Sequence, residues 1–594
     1  MKKVYLQRAE RFEKEMKDVQ RKSQWFSVSR LVTIILALVS AYFLLDGGQK
    51  IWLVLALSGV FGFFVLVWRH VGIRKQKKRV ENLLLLNQKE TAYLEGKDMD
   101  FPDGDEFNDP GHLFSYDLDI FGPHSLFYHL NRTATLKGRQ RLARALSEPD
   151  PADKIPEKQE AVQELITDLD WRQNFTAAGM EVEEDPHLSQ KIKIWLASSK
   201  NRPPALLLHP LTRVVLAVIT IGLGVHFAVF PAPAHFNWFM YGFGLNLSLV
   251  FSQYKYIKKE YSMLNGIASS LHMYGELIGA VEQRSFRAGL LKSLQSQLVT
   301  EDEEASRALK KMGRLLDGFD QMNNAVALLL TNGLYLYHLH VLRGLYQWKK
   351  IYGSQVEVWL RSVSEMDHLV SLANFAFNYQ EYTYPEITEE VAFEATQIGH
   401  PLIERSKRVN NSISLDNFKY VVLTGSNMSG KSTFLKTMGI NLVLARAGAP
   451  VCAEKFKTHA FTLLTSMKLI DSLAREESYF QAEVLRLKKV REILEEGRPC
   501  LVLLDEILRG TNSDDKRNGT RLFMQKIAGF NARGVIATHD IDIADLAQKQ
   551  AGTFKAFYFE SKVQNDQLYF DYYLREGICT TPNATDLMRA HGII

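Results

Sequence analysis

The segment at 420–433 decides the fold of the C-terminal part of the chain, and it reads YVVLTGSNMSGKST. Its apolar start, 420–423, is typical of a buried β-strand, and the stretch after it fits the pattern GxxxxGK(S/T). An apolar helix is predicted to follow. In this order the backbone N–H groups of the loop can surround phosphate oxygens, and the helix N-terminus adds a positive dipole. The segment therefore predicts a nucleotide-binding α/β domain.

Each part of the loop has a predicted task. Lys431 supplies a positive charge to the β- and γ-phosphates, and Ser432 supplies a hydroxyl to Mg²⁺. ATP and Mg²⁺ are thus the predicted ligands. The residues predicted to contact the nucleotide are Gly425, Ser426, Asn427, Met428, Ser429, Gly430, Lys431, Ser432 and Thr433.

Two further strand-like runs end in polar side chains that suit phosphate chemistry. The run 500–504 is followed by Asp505, a candidate Mg²⁺ ligand, and Glu506, a candidate base that orients and deprotonates water. An acidic pair that caps the next turn is the alternative. The run 534–537 is followed by His539, which either contacts the γ-phosphate or water, or has a structural role. Lys431, Glu506 and His539 are the predicted catalytic residues.

Four apolar segments interrupt the rest of the chain, at 31–45, 51–68, 214–230 and 236–251. A membrane-spanning helix needs about 20 apolar residues, and basic residues flank both pairs of segments. We expect two transmembrane hairpins whose ends face the cytosol, in a multi-pass protein of the cell (inner) membrane that is mostly cytoplasmic. The alternative for the first pair is a buried helical hairpin of a soluble domain. His226 in the third segment is functional, lies near the far interface, or faces a neighbouring helix.

Residues 80–205 and 255–380 are mostly helical in pattern. Leu309, Met312, Leu316 and Phe319 have helical spacing and are expected in the core, and a break is expected at Gly138. The chain has 3 cysteines, far apart, which favours reduced thiols over a disulfide or zinc site. The net charge of +5 over 594 residues does not by itself indicate a nucleic-acid partner.

These motifs together resemble the ATPase domain of the MutS superfamily, a clade of ABC-type ATPases. Residues 424–433 resemble the family's TGPNMGGKST, with Ser426 and Ser429 as departures. Residues 505–513 resemble DEIGRGTST, with Leu508, Asn512 and the conservative Ser513 as departures. Shorter similarities lie at 400–401, 450–454, 126–146, 365–373 and 573–577.

The resemblance implies a particular architecture and a dimer. The expected fold is multidomain, with helical transmembrane hairpins, an all-α MutS core and lever, and an α/β P-loop ATPase domain. The segment 471–480 resembles DDLASGRSTF, which implies that Ser478 reaches the nucleotide of the partner subunit in a homodimer. Glu476 and Glu477 replace the family's Gly-Arg there, and two carboxylates near a γ-phosphate would repel it.

The expected domains are the N-terminal segment with the first hairpin, the first part of the core, the second hairpin, the lever with the second part of the core, and the ATPase domain. Their boundaries are 1–80, 81–205, 206–255, 256–385 and 386–594. The family's mismatch-reading N-terminal domain has no expected counterpart here, and the second hairpin occupies the region of its DNA clamp.

Two functions remain open at this point. The first is a membrane-anchored, Mg²⁺-dependent MutS-like ATPase with a role in DNA mismatch binding or repair. The second is an ATP-driven membrane scaffold that acts on an unknown protein partner without DNA. The candidates for DNA phosphate contact, for which a solvated helix face is the favoured alternative, are Lys310, Lys311, Arg314, Arg343, Lys349, Lys350 and Arg361.

Overall fold

The computed structural model describes residues 1–46, 49–148, 150–198, 204, 209–299, 304–320, 325–468, 479–540, 542–544, 550, 552–564 and 567–578. Most of them are helical. The helices are α1 (Lys2–Leu45), α2 (Lys50–Leu94), α3 (Leu126–Leu130), α4 (Leu136–Ser147), α5 (Lys154–Ile166), α6 (Leu169–Gly179), α7 (Leu188–Ala197), α8 (Pro210–Val229), α9 (Pro233–Ser252), α10 (Tyr254–Leu264), α11 (Ala268–Glu282), α12 (Gly289–Ser296), α13 (Ala305–Asp320), α14 (Ala325–Tyr335), α15 (Tyr337–Tyr352), α16 (Val356–Asn378), α17 (Lys431–Ala447), α18 (Tyr479–Glu495) and α19 (Ser513–Ile527).

Helices α1 and α2 form one long antiparallel hairpin. At 44 and 45 residues, they extend well beyond the predicted apolar segments in both directions. A Cβ added at Gly59 would lie 2.8 Å from the Cβ of Ala37, so the glycine lets the two helices approach closely. The other ends of the two helices pack on the helical body, which consists of α3–α7, α10–α13, α15 and α16. Phe12, Met16 and Val80 are buried there. A single helix therefore crosses residue 80, where a domain boundary was expected.

Three described helices are long and apolar enough to cross a membrane, namely Lys2–Leu45, Ile51–Leu94 and Pro210–Val229. The fourth expected span lies on α9, which is helical and packs on α8 but is not among these three. Pro233, Asn237 and Asn246 lower the mean hydropathy of the 233–252 stretch. The bent pair α14 and α15 passes the same test when it is taken as one span.

The helical body joins the two segments, 126–146 and 365–373, that resemble the MutS core and lever. The carboxylate of Asp367 on α16 accepts hydrogen bonds from the backbone N–H of Ala134 (3.0 Å) and of Thr135 (2.9 Å), at the start of α4. Gly138 is not the expected break, because the chain breaks at 131–135 and Gly138 lies in the first turn of α4. A Cβ at Gly138 would lie 2.1 Å from Oδ2 of Asp367, so this glycine makes room for the carboxylate.

The C-terminal part contains two β-sheets with helices packed on them. The strands are β1 (Glu386–Thr388), β2 (Phe393–Ile398), β3 (Asn411–Ser414), β4 (Tyr420–Thr424), β5 (Lys455–His459), β6 (Thr462–Ser466), β7 (Cys500–Asp505), β8 (Ala532–Ala537), β9 (Phe554–Gln564) and β10 (Gln567–Glu576). The first sheet has the order β1-β5-β2-β3 and the second β10-β9-β4-β8-β7-β6.

The six-stranded sheet is parallel except for β10, which pairs antiparallel with β9. The expected strands at 420–423, 500–504 and 534–537 are confirmed as β4, β7 and β8. They are neighbours in the sheet, so their carboxyl ends meet at one edge.

Candidate nucleotide-binding site

The loop between β4 and α17 curls because three of its residues have left-handed backbone angles. Gly425, Met428 and Gly430 have φ of 148°, 65° and 106°. A Cβ on Gly425 would lie 2.7 Å from Oγ of Ser429, so a side chain there would open the loop. The side chain of Met428 points to solvent and is 84% exposed. The loop thus leads directly into the N-terminus of α17, as the sequence predicted.

Lys431 is held at the centre of this loop. Its Nζ donates hydrogen bonds to the carbonyl oxygens of Gly425 (2.8 Å) and Ser426 (3.0 Å) and lies 3.3 Å from Nε2 of His539. Burial lowers the pKa of Lys431 to about 8, although the carboxylates of Glu506 and Asp505 oppose the shift. The loop therefore surrounds a single, partly desolvated cation, which is the arrangement a phosphate requires.

Ser432 and Asp505 form an oxygen pair across the strand ends. The hydroxyl of Ser432 donates a hydrogen bond of 2.6 Å to Oδ2 of Asp505. Among the described residues no group of three or more His, Cys, Asp or Glu side chains could hold a metal ion by itself. A hydroxyl beside one carboxylate suits Mg²⁺, which takes few protein ligands and completes its shell with phosphate oxygens and water.

Glu506 and His539 also meet at this edge, as an ion pair between Oε1 and Nε2. Contact with His539 is the main reason why the pKa of Glu506 is lowered to about 2. Glu506 has a φ of 49°, and its backbone N–H donates to the carbonyl of Ala537 on β8 at 2.9 Å. Left-handed angles at residues other than glycine are uncommon and concentrate at functional sites.

Sequence reasoning missed two residues that hold this turn. Glu483 on α18 accepts from the backbone N–H groups of Leu508 (2.6 Å) and Arg509 (3.0 Å). Arg509 in turn donates to the carbonyl oxygens of Asp505 (2.8 Å) and Glu506 (2.9 Å). Leu508, which stands where the family pattern has glycine, has a φ of 63°. Glu483 belongs to no motif and could not be found from spacing.

A cavity of about 850 Å³ adjoins the loop and lies within the size range of small-molecule sites, about 300–1,000 Å³. Its walls combine apolar and basic side chains. His400 of the His-Pro pair is one of them. The other residues that line it away from the loop include Ile398, Ile403, Lys407, Arg408, Val409, Lys436, Lys468, Phe559 and Tyr572.

The helical body reaches the wall of this cavity through two aspartates. Asp119 pairs with Nζ of Lys436 at 2.5 Å and with Nζ of Lys468. Asp117 accepts from the hydroxyl of Thr465 at 2.6 Å and pairs with Arg486 at 3.4 Å. The segment 113–122 therefore connects the cavity to the helices that resemble the MutS core. No motif pointed to these aspartates.

The remaining predicted residues fall into two groups. Ser478, Glu476 and Glu477 lie outside the described residues. Of the candidate DNA contacts, Lys310 pairs with Glu276 at 2.8 Å and Lys349 donates to the backbone carbonyl of Trp195. These seven basic side chains are divided among α13, α15 and α16.

The fold and the site define a class of α/β domain in which a glycine-rich loop joins a central parallel strand to a helix. Residues 421–590 match the family model of MutS domain V. The DNA mismatch repair protein MutS of Orientia tsutsugamushi (strain Boryong) is 33% identical over 215 residues, 34% of this chain and 24% of that protein. The protein of the same name from Staphylococcus aureus (strain JH9) is 31% identical over 206 residues, 34% of this chain and 23% of that protein.

The C-terminal domain, residues 421–590, therefore belongs to the family of MutS domain V, and the two relatives support a place in the MutS superfamily. The chain spans about a quarter of the length of the curated relatives that it matches.

Proposed function

We propose that this chain is a membrane-anchored, Mg²⁺-dependent ATPase of the MutS type. The observation that carries the proposal is the meeting of Lys431, the Ser432–Asp505 pair and the Glu506–His539 pair at adjacent strand ends. These are a cation for phosphates, oxygen ligands for a hard metal ion, and a carboxylate for a water molecule. Phosphoryl transfer to water needs all three in one place.

Each residue has a task in this scheme. Backbone N–H groups of 425–433 and the Lys431 ammonium hold the β- and γ-phosphates. Ser432 and Asp505 hold Mg²⁺, which neutralises charge on the phosphate oxygens when bound. Glu506 orients the attacking water and accepts its proton.

The Glu506–His539 contact has a consequence for basicity. A carboxylate with a pKa of about 2 is a weak base, because His539 stabilises its charged form. A γ-phosphate beside His539 would compete for the imidazole and raise the pKa of Glu506. In this way ATP itself would activate the base.

The membrane location is supported by the surface of the hairpin helices. Leu31, Leu38, Phe61 and Trp68 are exposed on α1 and α2, in stretches without charged residues. Such a surface suits acyl chains, and the basic flanks support a cytosolic position of the body. We propose a multi-pass inner-membrane protein on these grounds.

A dimer with composite ATP sites is part of the proposal, with Ser478 contributed in trans as the resemblance implies. Sedimentation of the detergent-solubilised protein with and without ATP tests it. An ATP-dependent dimer that Ser478→Ala weakens supports the composite site, and a monomer under both conditions contradicts it.

Two classes of macromolecule are candidates for the substrate on which the ATPase acts, its object. DNA is the first, because the matched relatives carry the name DNA mismatch repair protein. A protein partner at the membrane is the second, favoured by the intramolecular contacts that already occupy Lys310 and Lys349.

One experiment tests both the activity and its object. ATP turnover is measured in detergent, alone and with homoduplex, mismatched or branched DNA. Glu506→Gln should lower turnover by about 10²–10⁴-fold. Glu492→Gln, at an exposed glutamate on α18, is the matched control and should leave turnover unchanged.

Stimulation by one form of DNA would identify that DNA as the object. Turnover that no DNA changes would favour the protein partner. Turnover that survives Glu506→Gln would refute the proposed site.

A further inference from the structure

A sharp break separates α14 from α15. Leu336 has a φ of 51°, and the two helices bend by 80° around it. Helix α14 reads AVALLLTNGLY and contains no charged residue. The sequence pattern predicts that it belongs to a cytosolic lever. It lacks the charged residues that the helices on either side of it in the chain contain.

Helix α14 packs on the second hairpin rather than on the body of the lever. A Cβ at Gly333 would lie 2.2 Å from the ring of Phe243, so backbone and ring are in direct contact. The fully buried Asn246 on α9 donates a hydrogen bond of 2.8 Å to the carbonyl of Gly333 and one of 3.0 Å to the hydroxyl of Thr220 on α8. One buried amide thus joins three helices.

These polar contacts satisfy the end of α14 internally. The last carbonyls of a helix lack partners within it, and hydrocarbon supplies none. Asn246 provides one for Gly333. The first N–H groups of α15 lack partners in the same way, and the side chain of Asn332 accepts from the backbone N–H of His338 at 3.0 Å. A break of this kind is what a helix end inside a bilayer requires.

The opposite face of α14 is apolar and exposed. Val326 is 66% and Leu330 is 51% exposed, and Leu329 lies beside them. The hairpin that α14 packs on also exposes apolar side chains, and Val218 of α8 is 63% exposed. A helix without charged residues that exposes such an apolar face is not suited to water.

We propose that α14 is immersed in the cytosolic leaflet and that lipid acyl chains cover its exposed face. Its 11 residues span about 16 Å, roughly half of a hydrocarbon core of about 30 Å. Arg213, near the start of α8, gives the level of the cytosolic interface. Its Nη1 donates to the carbonyl of Leu339 at 3.3 Å, so the start of α15 lies at the same level. This inference rests on the proposed membrane position of α8 and α9.

The consequence concerns the lever. Helix α15 leaves the bilayer at this point and is followed directly by α16, which carries Asp367 and contacts the start of α4. A movement of these helices in an ATP cycle would therefore displace a segment embedded in lipid. The bilayer is then a mechanical partner of the lever as well as an anchor.

Depth-dependent quenching tests the proposal in proteoliposomes. Single cysteines are introduced by Leu330→Cys, Val218→Cys and Ile351→Cys and are labelled with a polarity-sensitive fluorophore. Cys579→Ser serves as background, because the other two cysteines, Cys452 and Cys500, are buried. Ile351 on α15 is the matched control, since it is apolar and 46% exposed, close to the value for Leu330.

Nitroxide-labelled phosphatidylcholine in the bilayer should quench the labels at Leu330 and Val218 at least threefold more than the label at Ile351. Quenching at Val218 without quenching at Leu330 would overturn this inference and leave the anchor proposal standing. Absence of quenching at both would overturn both.

The same variants test whether a protein, rather than lipid, covers the exposed face of α14. If the exposed face of α14 contacts a second copy of the chain, Leu330→Cys forms a disulfide between subunits under mild oxidation and its label is shielded from lipid. That pair of results would also overturn the proposal.

Discussion

Replacement of Glu90 by glutamine tests how the first hairpin is attached to the helical body. Glu90 lies on α2 and pairs with Arg132, and their exposed fractions are only 3% and 8%. The same carboxylate accepts from the side-chain amides of Asn374 (2.9 Å) and Asn378 (3.0 Å) on α16. One buried group thus connects α2 of the first hairpin to α16 and to the segment between α3 and α4.

The expected loss of stability is large because Glu90→Gln leaves a buried guanidinium without its counter-ion. Removing one partner of a buried ion pair costs about 3–5 kcal/mol. At about 2–4 °C per kcal/mol for a domain of this size, the melting temperature should fall by roughly 6–20 °C. Tryptophan fluorescence of the detergent-solubilised protein during heating measures the change.

Two variants separate the charge from the change of side chain. Glu81→Gln alters an exposed glutamate on the same helix and should leave the melting temperature within about 2 °C of the unaltered protein. Adding Arg132→Met to Glu90→Gln should recover part of the loss, because no unpaired charge remains buried. If Glu90→Gln melts with the unaltered protein, the pair does not carry the attachment and the reasoning is wrong.

Three further outcomes follow from the nucleotide site. ATP affinity, measured by calorimetric titration, should fall about tenfold per pH unit above pH 8, because Lys431 has a pKa of about 8 and must be protonated to bind phosphate. Lys431→Arg should remove this pH dependence. Asp505→Asn should raise the Mg²⁺ concentration for half-maximal turnover at least tenfold while nucleotide binding without Mg²⁺ is retained, and equal loss of both would contradict the metal role. Met428→Gly should stabilise the nucleotide-free protein by about 1 kcal/mol, since φ is 65° and the exposed side chain loses no packing, and a lower melting temperature would contradict the strain.

Local patterns in the sequence carried the prediction of the strand, loop and helix at 420–447. A buried strand, a glycine-rich loop and a helix start are decided within a few residues, by side-chain size and backbone freedom. The same reasoning located Asp505, Glu506 and His539, because the carboxyl ends of neighbouring parallel strands meet at one edge. It also located the apolar spans of the first hairpin, where length and lack of charge suffice.

Contacts between distant segments could not be predicted in this way. Glu483 lies 25 residues from Leu508, and Asp119 lies 317 residues from Lys436, so no periodicity relates them. The break expected at Gly138 was wrong because that glycine accommodates Asp367 of a remote helix.

The sequence by itself determined the class of the C-terminal domain, the glycine-rich loop between β4 and α17, and the apolar character of the hairpins. Those properties depend on short-range spacing and on composition. Only the tertiary structure decided that α14 packs on the second hairpin and that Glu90 joins three elements. It also decided that Asp117 and Asp119 contact residues in the wall of the cavity. The physical reason is that a buried polar group needs a partner, and the fold alone determines which residue that partner is.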